Sequence, residues 1–282
     1  MPLGYGGGAN HTNPPGYWGP HDSLHTFCEP SYVLTEYVAE PINALGSITY
    51  IIFGLINLRR LYSVGQPLCW RATAGWWALV VVGFGSVFFH STMRYHAELL
   101  DEIPMLILVG CGSIQVSDVH PWGKRKWLGV PLFDAVVFGG ISAFTITYLV
   151  TRIFGLFITG FTIGTFGLLG IFLTSGPYPG YSFVGYRAAF WIVAARVFWE
   201  LENHMCSSVP SVWPLHNVWH LGSCLAASDL FLFGYLYRID KAGAAAVTSA
   251  TSGGRGTRKS KARLPTLLFC PSSCVQMVEK CR

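Results

Sequence analysis

The chain has few charged residues. Asp, Glu, Lys and Arg together account for 12% of its 282 residues, whereas an average soluble domain contains about 25%. Hydrophobic residues account for 51% and aromatic residues for 15%. The charges are clustered, so long stretches between them are neutral. This composition is typical of a protein that spans a membrane and argues against an ordinary soluble domain.

Basic residues are absent from the first 40 positions, which also lack a long apolar stretch. A secretory signal peptide combines a basic region with an apolar one, so we expect none here. The chain does contain seven apolar runs close to the length of about 20 residues that spans a bilayer. Only one charged residue, Arg152, separates the fourth run from the fifth. The runs are Ile42–Leu61, Ala72–Met93, Leu99–Val119, Pro131–Val150, Phe154–Thr174, Phe183–Leu201 and Leu215–Tyr237.

The distribution of Lys and Arg predicts the orientation. Basic residues follow the first, third and seventh runs, whereas the segment before the first run carries acidic residues only. Loops rich in Lys and Arg stay in the cytosol. The sequence therefore predicts an all-α membrane protein of seven transmembrane helices, with a lumenal N-terminus and a cytosolic C-terminus. We divide it into a lumenal segment 1–40, a transmembrane catalytic domain 41–238 and a basic, disordered tail 239–282.

Ionisable residues inside predicted spans are candidates for function, because burying them in a bilayer is costly. Ser86 and His90 are four residues apart, and so are His216 and His220, so each pair shares one face of its helix. Three histidines from two helices can bind zinc and leave a fourth position for water. The alternative is that each histidine is an ordinary hydrogen-bonded residue near the membrane surface.

A zinc ion held by three neutral imidazoles keeps its full charge, lowers the pKa of bound water to about 7 and polarises a carbonyl. Asp101 can accept a proton from water and return it to the leaving group, and Ser86 can donate to a developing oxyanion. Glu102 points about 100° away from Asp101 around the helix, so we expect it to support the catalytic groups indirectly or to serve a structural role. The substrate expected for such a site is a membrane lipid, and we expect no nucleic acid partner.

Two of the eight cysteines, Cys28 and Cys206, fall on the predicted lumenal side outside the spans. Disulfides persist on that side, whereas cytosolic thiols stay reduced. A bond between the two is the simplest hypothesis, although the sequence says nothing about their geometry.

Several motifs together resemble the alkaline ceramidases, which are seven-helix intramembrane zinc amidases of a superfamily that includes the adiponectin-receptor-like proteins. Residues 16–238 carry the resemblance. The motifs are Gly16-Tyr17-Trp18-Gly19-Pro20, Cys28-Glu29, Tyr37-x-Ala39-Glu40, Ser86-x-x-x-His90 with Asp101, Phe198-Trp199-x-x-x-Asn203, and His216-x-x-x-His220.

The resemblance implies a ceramidase of the endoplasmic reticulum or Golgi membrane, which hydrolyses the amide of a ceramide-type lipid. It makes His90, His216 and His220 the zinc ligands, Asp101 the residue that activates water and Ser86 the group beside the oxyanion. It also implies a lumenal disulfide that matches Cys28 and Cys206. Two alternatives are a lipid-sensing receptor of the adiponectin-receptor-like type and a related hydrolase of membrane lipid esters.

The resemblance further implies a calcium site in the N-terminal segment. The matching positions are Thr26, Phe27, Glu29, Ser31 and Glu40. The family has Asp and Asn where this chain has Thr26 and Ser31. Calcium affinity follows the number of charged oxygen ligands, so we expect any calcium binding to be weak.

Overall fold

The computed structural model describes residues 16–63, 70–117, 125–174 and 181–252, and these are mostly helical. Seven α-helices lie within the described ranges. They are α1 (Pro41–Ser63), α2 (Trp70–Thr92), α3 (Tyr95–Ser117), α4 (Leu132–Thr151), α5 (Phe154–Thr174), α6 (Ser182–Met205) and α7 (Leu215–Ser252). Each predicted apolar run overlaps one of them. Helix α7 continues beyond Tyr237, so the predicted tail begins inside a helix, and residues 253–282 lie outside the described ranges.

Four helical segments in the described part of the chain are long and apolar enough to cross a membrane. They are Pro41–Ser63, Thr73–Thr92, Leu132–Thr151 and Phe154–Thr174. The other three helices carry more polar side chains, among them Asp101 and Glu102 in α3, Arg196 in α6 and His216 in α7. Polar and charged side chains therefore lower the apolar character of α3, α6 and α7.

Two short connections orient the fourth helix. Strands β1 (Lys126–Trp127) and β2 (Val130–Pro131) pair antiparallel before α4, and the two residues of the turn between them both have positive φ, as a type I′ turn requires. At the other end, Arg152 adopts the left-handed conformation and its N–H bonds the carbonyl of Tyr148. This cap ends α4 at the predicted boundary and allows α5 to start two residues later.

Apolar side chains fill the bundle in two main clusters. One joins α1, α2 and α7 through residues such as Leu58, Trp76 and Phe231. The other lies among the five helices from α3 through α7 and includes Tyr148 and Trp219. The most extensive helix pairs are α6 with α7, α1 with α2, and α2 with α3. This packing brings the end of α2, the start of α3 and the start of α7 to one end of the bundle.

An N-terminal segment, residues 16–40, covers that end. The N–H groups of Ala39 and Glu40 bond the carbonyls of Ser91 and His90, both at 2.9 Å. The N–H of Leu24 bonds Glu98 in α3 at 2.6 Å. The segment is thus hydrogen-bonded across the last turn of α2 and the first turn of α3, and it closes the bundle there.

Candidate metal centre

The three predicted histidine ligands lie together beneath the N-terminal segment. His90 stands in the last turn of α2, and His216 and His220 stand in the first two turns of α7. One ring nitrogen from each lies within 4.8 Å of the others, and all three side chains are buried. The ring centroid of His90 is 5.1 Å from those of His216 and His220. The structure therefore places the three imidazoles where they could hold a metal ion.

Two glutamates orient two of these rings. Glu40 Oε2 lies 2.7 Å from Nδ1 of His90, and Glu202 Oε2 lies 3.1 Å from Nδ1 of His216. A carboxylate accepts from a ring N–H, so each Nδ1 carries the proton and each Nε2 keeps its lone pair. Histidines that bind metals commonly make this contact, which sets the tautomer and raises the basicity of the ligating nitrogen.

The remaining ring nitrogens suit a metal ion. Nε2 of His90 and both ring nitrogens of His220 are buried, and none has a hydrogen-bond partner in the part of the chain that the structure describes. Buried polar atoms are ordinarily paired. Three convergent imidazoles without a thiolate match the donor set of zinc and of several other transition metals. The residues present therefore fit a metal, and its identity belongs to the proposal below.

The backbone of the N-terminal segment holds both orienting carboxylates. Glu40 accepts a hydrogen bond from the N–H of Phe27 and one from the side-chain amide of Asn43 at 3.1 Å. The other oxygen of Glu202 accepts the N–H of Cys28 at 3.1 Å. Charge-assisted bonds of this kind are stronger than neutral ones, so the segment contributes to the orientation of His90 and His216 through these two side chains.

Cys28 also forms a disulfide with Cys206, the pairing that the sequence predicted. The bond joins residues 178 positions apart and ties the N-terminal segment to the end of α6. Glu202 lies one helical turn before Cys206. The disulfide and the hydrogen bond from Cys28 to Glu202 therefore link the same two parts of the chain.

Asp101 and Ser86, the proposed catalytic pair, are also brought together. The side chain of Ser86 interacts with the Asp101 carboxylate. The hydroxyl of Ser47 lies 3.0 Å from that of Ser86 and can donate to it. Both Asp101 and Ser86 line a cavity that His216 and His220 also line. A carboxylate, a hydroxyl and two of the imidazoles thus face one enclosed space.

A close helix approach makes this pairing feasible. Pro104 in α3 has no N–H, so it cannot bond the carbonyl of Leu100 one turn earlier. Gly85 in α2 packs directly against that carbonyl oxygen, and a Cβ at this position would collide with it. Because Gly85 has no side chain, α2 approaches α3 at the position of Ser86 and Asp101.

The cavity at the centre adjoins a larger apolar one, and Tyr50, Met105 and Trp219 line both. The larger cavity lies between α2, α3, α5, α6 and α7 and has mostly aliphatic and aromatic walls. The centre therefore stands beside a space suited to a hydrocarbon chain.

Glu102 was expected to support the catalytic groups or to serve a structural role. The hydroxyl of Tyr148 in α4 donates to its Oε2. Glu102 also lines the cavity of the candidate metal centre beside Asp101. The reason is that α3 stands between α2 and α4, so residues 100° apart on this helix both border the same central space.

Two of the five positions named for calcium, Glu29 and Glu40, have other partners in the structure. Both oxygens of Glu29 accept N–H groups of the first turn of α1, those of Ile42 and Asn43, at 2.8 Å. Burial raises the pKa of Glu29, and these two hydrogen bonds act in the opposite direction. Glu40 bonds His90. Thr26 is exposed and Phe27 half-buried, while Ser31 is buried. Calcium binding at these residues stays a prediction.

Sequence reasoning missed the roles of Glu40 and Glu202. Glu40 was considered only for calcium, and no role was assigned to Glu202. One signal could have found them. Both are glutamates at the end of the bundle that carries the histidines, and ligating histidines usually bond a carboxylate through their second nitrogen.

Comparisons with known proteins match one family over most of the chain. A protein-family model described as Ceramidase matches residues 19–251. Alkaline ceramidase 3 of Mus musculus is 29% identical over 238 residues, which cover 79% of this chain and 86% of that protein. The alkaline ceramidase of Arabidopsis thaliana is 26% identical over 219 residues, 73% of this chain and 80% of that protein. Alkaline ceramidase YPC1 of Saccharomyces cerevisiae is 30% identical over 139 residues, 47% of this chain and 42% of that protein.

Proposed function

Because the chain belongs to the ceramidase family, we propose that it hydrolyses the amide bond of ceramide-type lipids and releases a sphingoid base and a fatty acid. The observation that carries the proposal is the cluster of three buried imidazoles beside Asp101 and Ser86, next to a larger apolar cavity. A lipid can place its chain in that cavity and its polar linkage at the centre.

The metal proposed for His90, His216 and His220 is zinc. Three neutral nitrogen ligands without a thiolate suit it. When bound, zinc would supply a Lewis acid that ionises water near neutral pH and polarises the amide carbonyl. Glu40 and Glu202 keep two of the ligating nitrogens unprotonated by accepting from the opposite side of each ring.

In this proposal Asp101 transfers the proton and Ser86 stabilises the oxyanion. Asp101 accepts a proton as water attacks the carbonyl carbon, then returns it to the amine as the C–N bond breaks. Ser86 stabilises the negative oxygen that forms on the carbonyl. Ser47 lies behind Ser86, with 3.0 Å between the two hydroxyl oxygens. The products are one carboxylic acid and one amine for each water consumed.

All seven helices span the membrane in this proposal, with the N-terminus in the lumen of the endoplasmic reticulum or Golgi. The proposal keeps the division made from the sequence: a lumenal segment 1–40, a catalytic domain 41–238 and a basic tail 239–282. The Cys28–Cys206 bond supports the orientation, because disulfides persist in the lumen. The excess of Lys and Arg in the loops at the opposite end supports it as well.

Metal content and amide hydrolysis, measured on the same detergent-purified protein, test the proposal. We expect about one zinc per chain and release of sphingoid base at pH about 9, well above the range in which zinc ionises water, with a chelator abolishing the release. In His220→Ala, metal and activity should be lost together. Zinc without hydrolysis would favour a receptor, and hydrolysis of lipid esters alone would favour an ester hydrolase. Active protein free of zinc would overturn the ligand assignment.

A further inference from the structure

One carboxylate oxygen in the cavity of the metal centre has no role in the reaction described above. Glu102 is 3% exposed, and its Oε1 has no hydrogen-bond partner among the residues that the structure describes. A buried acceptor without a partner loses free energy relative to a hydrated one. In a transmembrane helix such a group marks a functional site more often than a structural one.

Tyr148 determines which of the two oxygens stays available. Its side chain is fully buried behind α3, and its hydroxyl donates to Glu102 Oε2. The ring of Tyr148 packs against that of Phe157 at 5.8 Å, which fixes the position of the hydroxyl. The carboxylate is therefore held from one side by Tyr148, while Glu102 itself borders the cavity on the other.

The apolar walls around Glu102 Oε1 favour a ligand that carries its own hydrogen-bond donor. Beside the catalytic groups, the cavity is lined mainly by apolar and aromatic side chains, which include Phe27, Phe154, Trp199 and Trp219. Water that a hydrocarbon chain displaces would leave Oε1 unpaired, unless the incoming lipid carries an O–H of its own. A site built around such a bond rejects an analogue that lacks the hydroxyl much more strongly than an apolar pocket can.

From these contacts we infer that Glu102 Oε1 accepts a hydrogen bond from a hydroxyl on the amino-alcohol half of the substrate, and that Tyr148 positions it. This inference rests on the proposed function and assigns a residue to the recognition of a substrate hydroxyl close to the amide. A ceramide made from an unsubstituted fatty acid carries its hydroxyl groups only on that half. Glu102 thus determines specificity, whereas Asp101 transfers the proton.

The test compares three lipids with one acyl chain: ceramide, its 1-deoxy analogue and its 3-deoxy analogue. The wild type should show a higher kcat/KM on ceramide than on at least one analogue, and that analogue identifies the hydroxyl.

Glu102→Met should reduce the preference by about tenfold, the factor expected for one hydrogen bond, mainly because kcat/KM on ceramide falls. Glu102→Gln keeps the size, and its amide oxygen can still accept from Tyr148, but its amide nitrogen then replaces Oε1 and cannot accept from the substrate hydroxyl, so the same preference should also fall. Metal content and melting temperature, measured in parallel, establish that each variant is folded.

A binding measurement separates this inference from the proposed function. Sphingosine, the product base, should raise the melting temperature of the wild type more than its deoxy counterparts do, and Glu102→Met should remove the difference. Equal losses on all three lipids, or no discrimination by the wild type, would overturn the inference and leave amide hydrolysis standing. Absence of hydrolysis of any ceramide would instead overturn the proposed function, and the binding comparison would then decide about Glu102.

Discussion

Glu202 connects the disulfide to the metal centre, since its Oε2 lies 3.1 Å from Nδ1 of His216. Its other oxygen accepts the N–H of Cys28 at 3.1 Å. One carboxylate at the end of α6 thus joins a histidine of α7 to the N-terminal segment. The orientation of His216 therefore depends on the fold outside the helix that carries it.

Replacing Glu202 with glutamine should weaken metal binding. Glutamine has one acceptor where the carboxylate has two, so it cannot accept from both Cys28 and His216. We expect metal affinity to fall by about 10- to 100-fold, as is usual when such a carboxylate is lost. Competition with a chromophoric chelator measures it. Glu200→Gln is the matched control, because Glu200 lies on the same helix and pairs with Arg196. Equal affinity in both variants would contradict the assigned role of Glu202.

Asp101→Asn should leave the fold and the metal in place and remove turnover. The amide keeps the size of the side chain but cannot accept the proton, so we expect the rate of ceramide hydrolysis to fall by about 100-fold or more. Metal content and initial rates on one preparation would show this separation. Asp240→Asn, an exposed site on α7, should behave like the wild type. Turnover close to the wild-type rate in Asp101→Asn would exclude Asp101 from the mechanism.

The close approach of α2 and α3 can be tested with a single methyl group. In Gly85→Ala the new Cβ would collide with the Leu100 carbonyl, so the helices must separate. We expect a loss of about 1–3 kcal/mol in the free energy of unfolding, with reduced turnover because Ser86 moves from Asp101. Gly139→Ala is the control, since a Cβ there meets nothing within 4 Å. Denaturant unfolding that leaves the two variants equally stable would disprove the contact.

Removal of the disulfide should affect both stability and the metal. The double change Cys28→Ser and Cys206→Ser should lower the free energy of unfolding by about 2–5 kcal/mol. Metal affinity should fall too, because the N–H of residue 28 then holds Glu202 less firmly. A reductant should lower the melting temperature of the wild type and leave that of the double variant unchanged. A wild-type melting temperature insensitive to reductant would show that the bond does not stabilise the protein.

Much of the helical framework could be predicted because the relevant signals are local. The length of an apolar run and a four-residue spacing are both set within one helix, so the overlap of each run with a helix and the shared face of His216 and His220 follow directly. The boundary at Arg152 was harder to predict, since one residue in the left-handed conformation ends α4. The extension of α7 to Ser252 was missed because its final segment is no longer strongly apolar.

By itself, the sequence determined which histidines were candidate ligands, their helical spacing and the pair of cysteines available for a disulfide. Only the tertiary structure decided which carboxylates serve the centre. Glu40 reaches His90 across 50 residues, and Glu102 borders the cavity because of how α3 sits between its neighbours. Hydrogen bonds over such separations depend on helix packing, and no periodicity within a single helix encodes them.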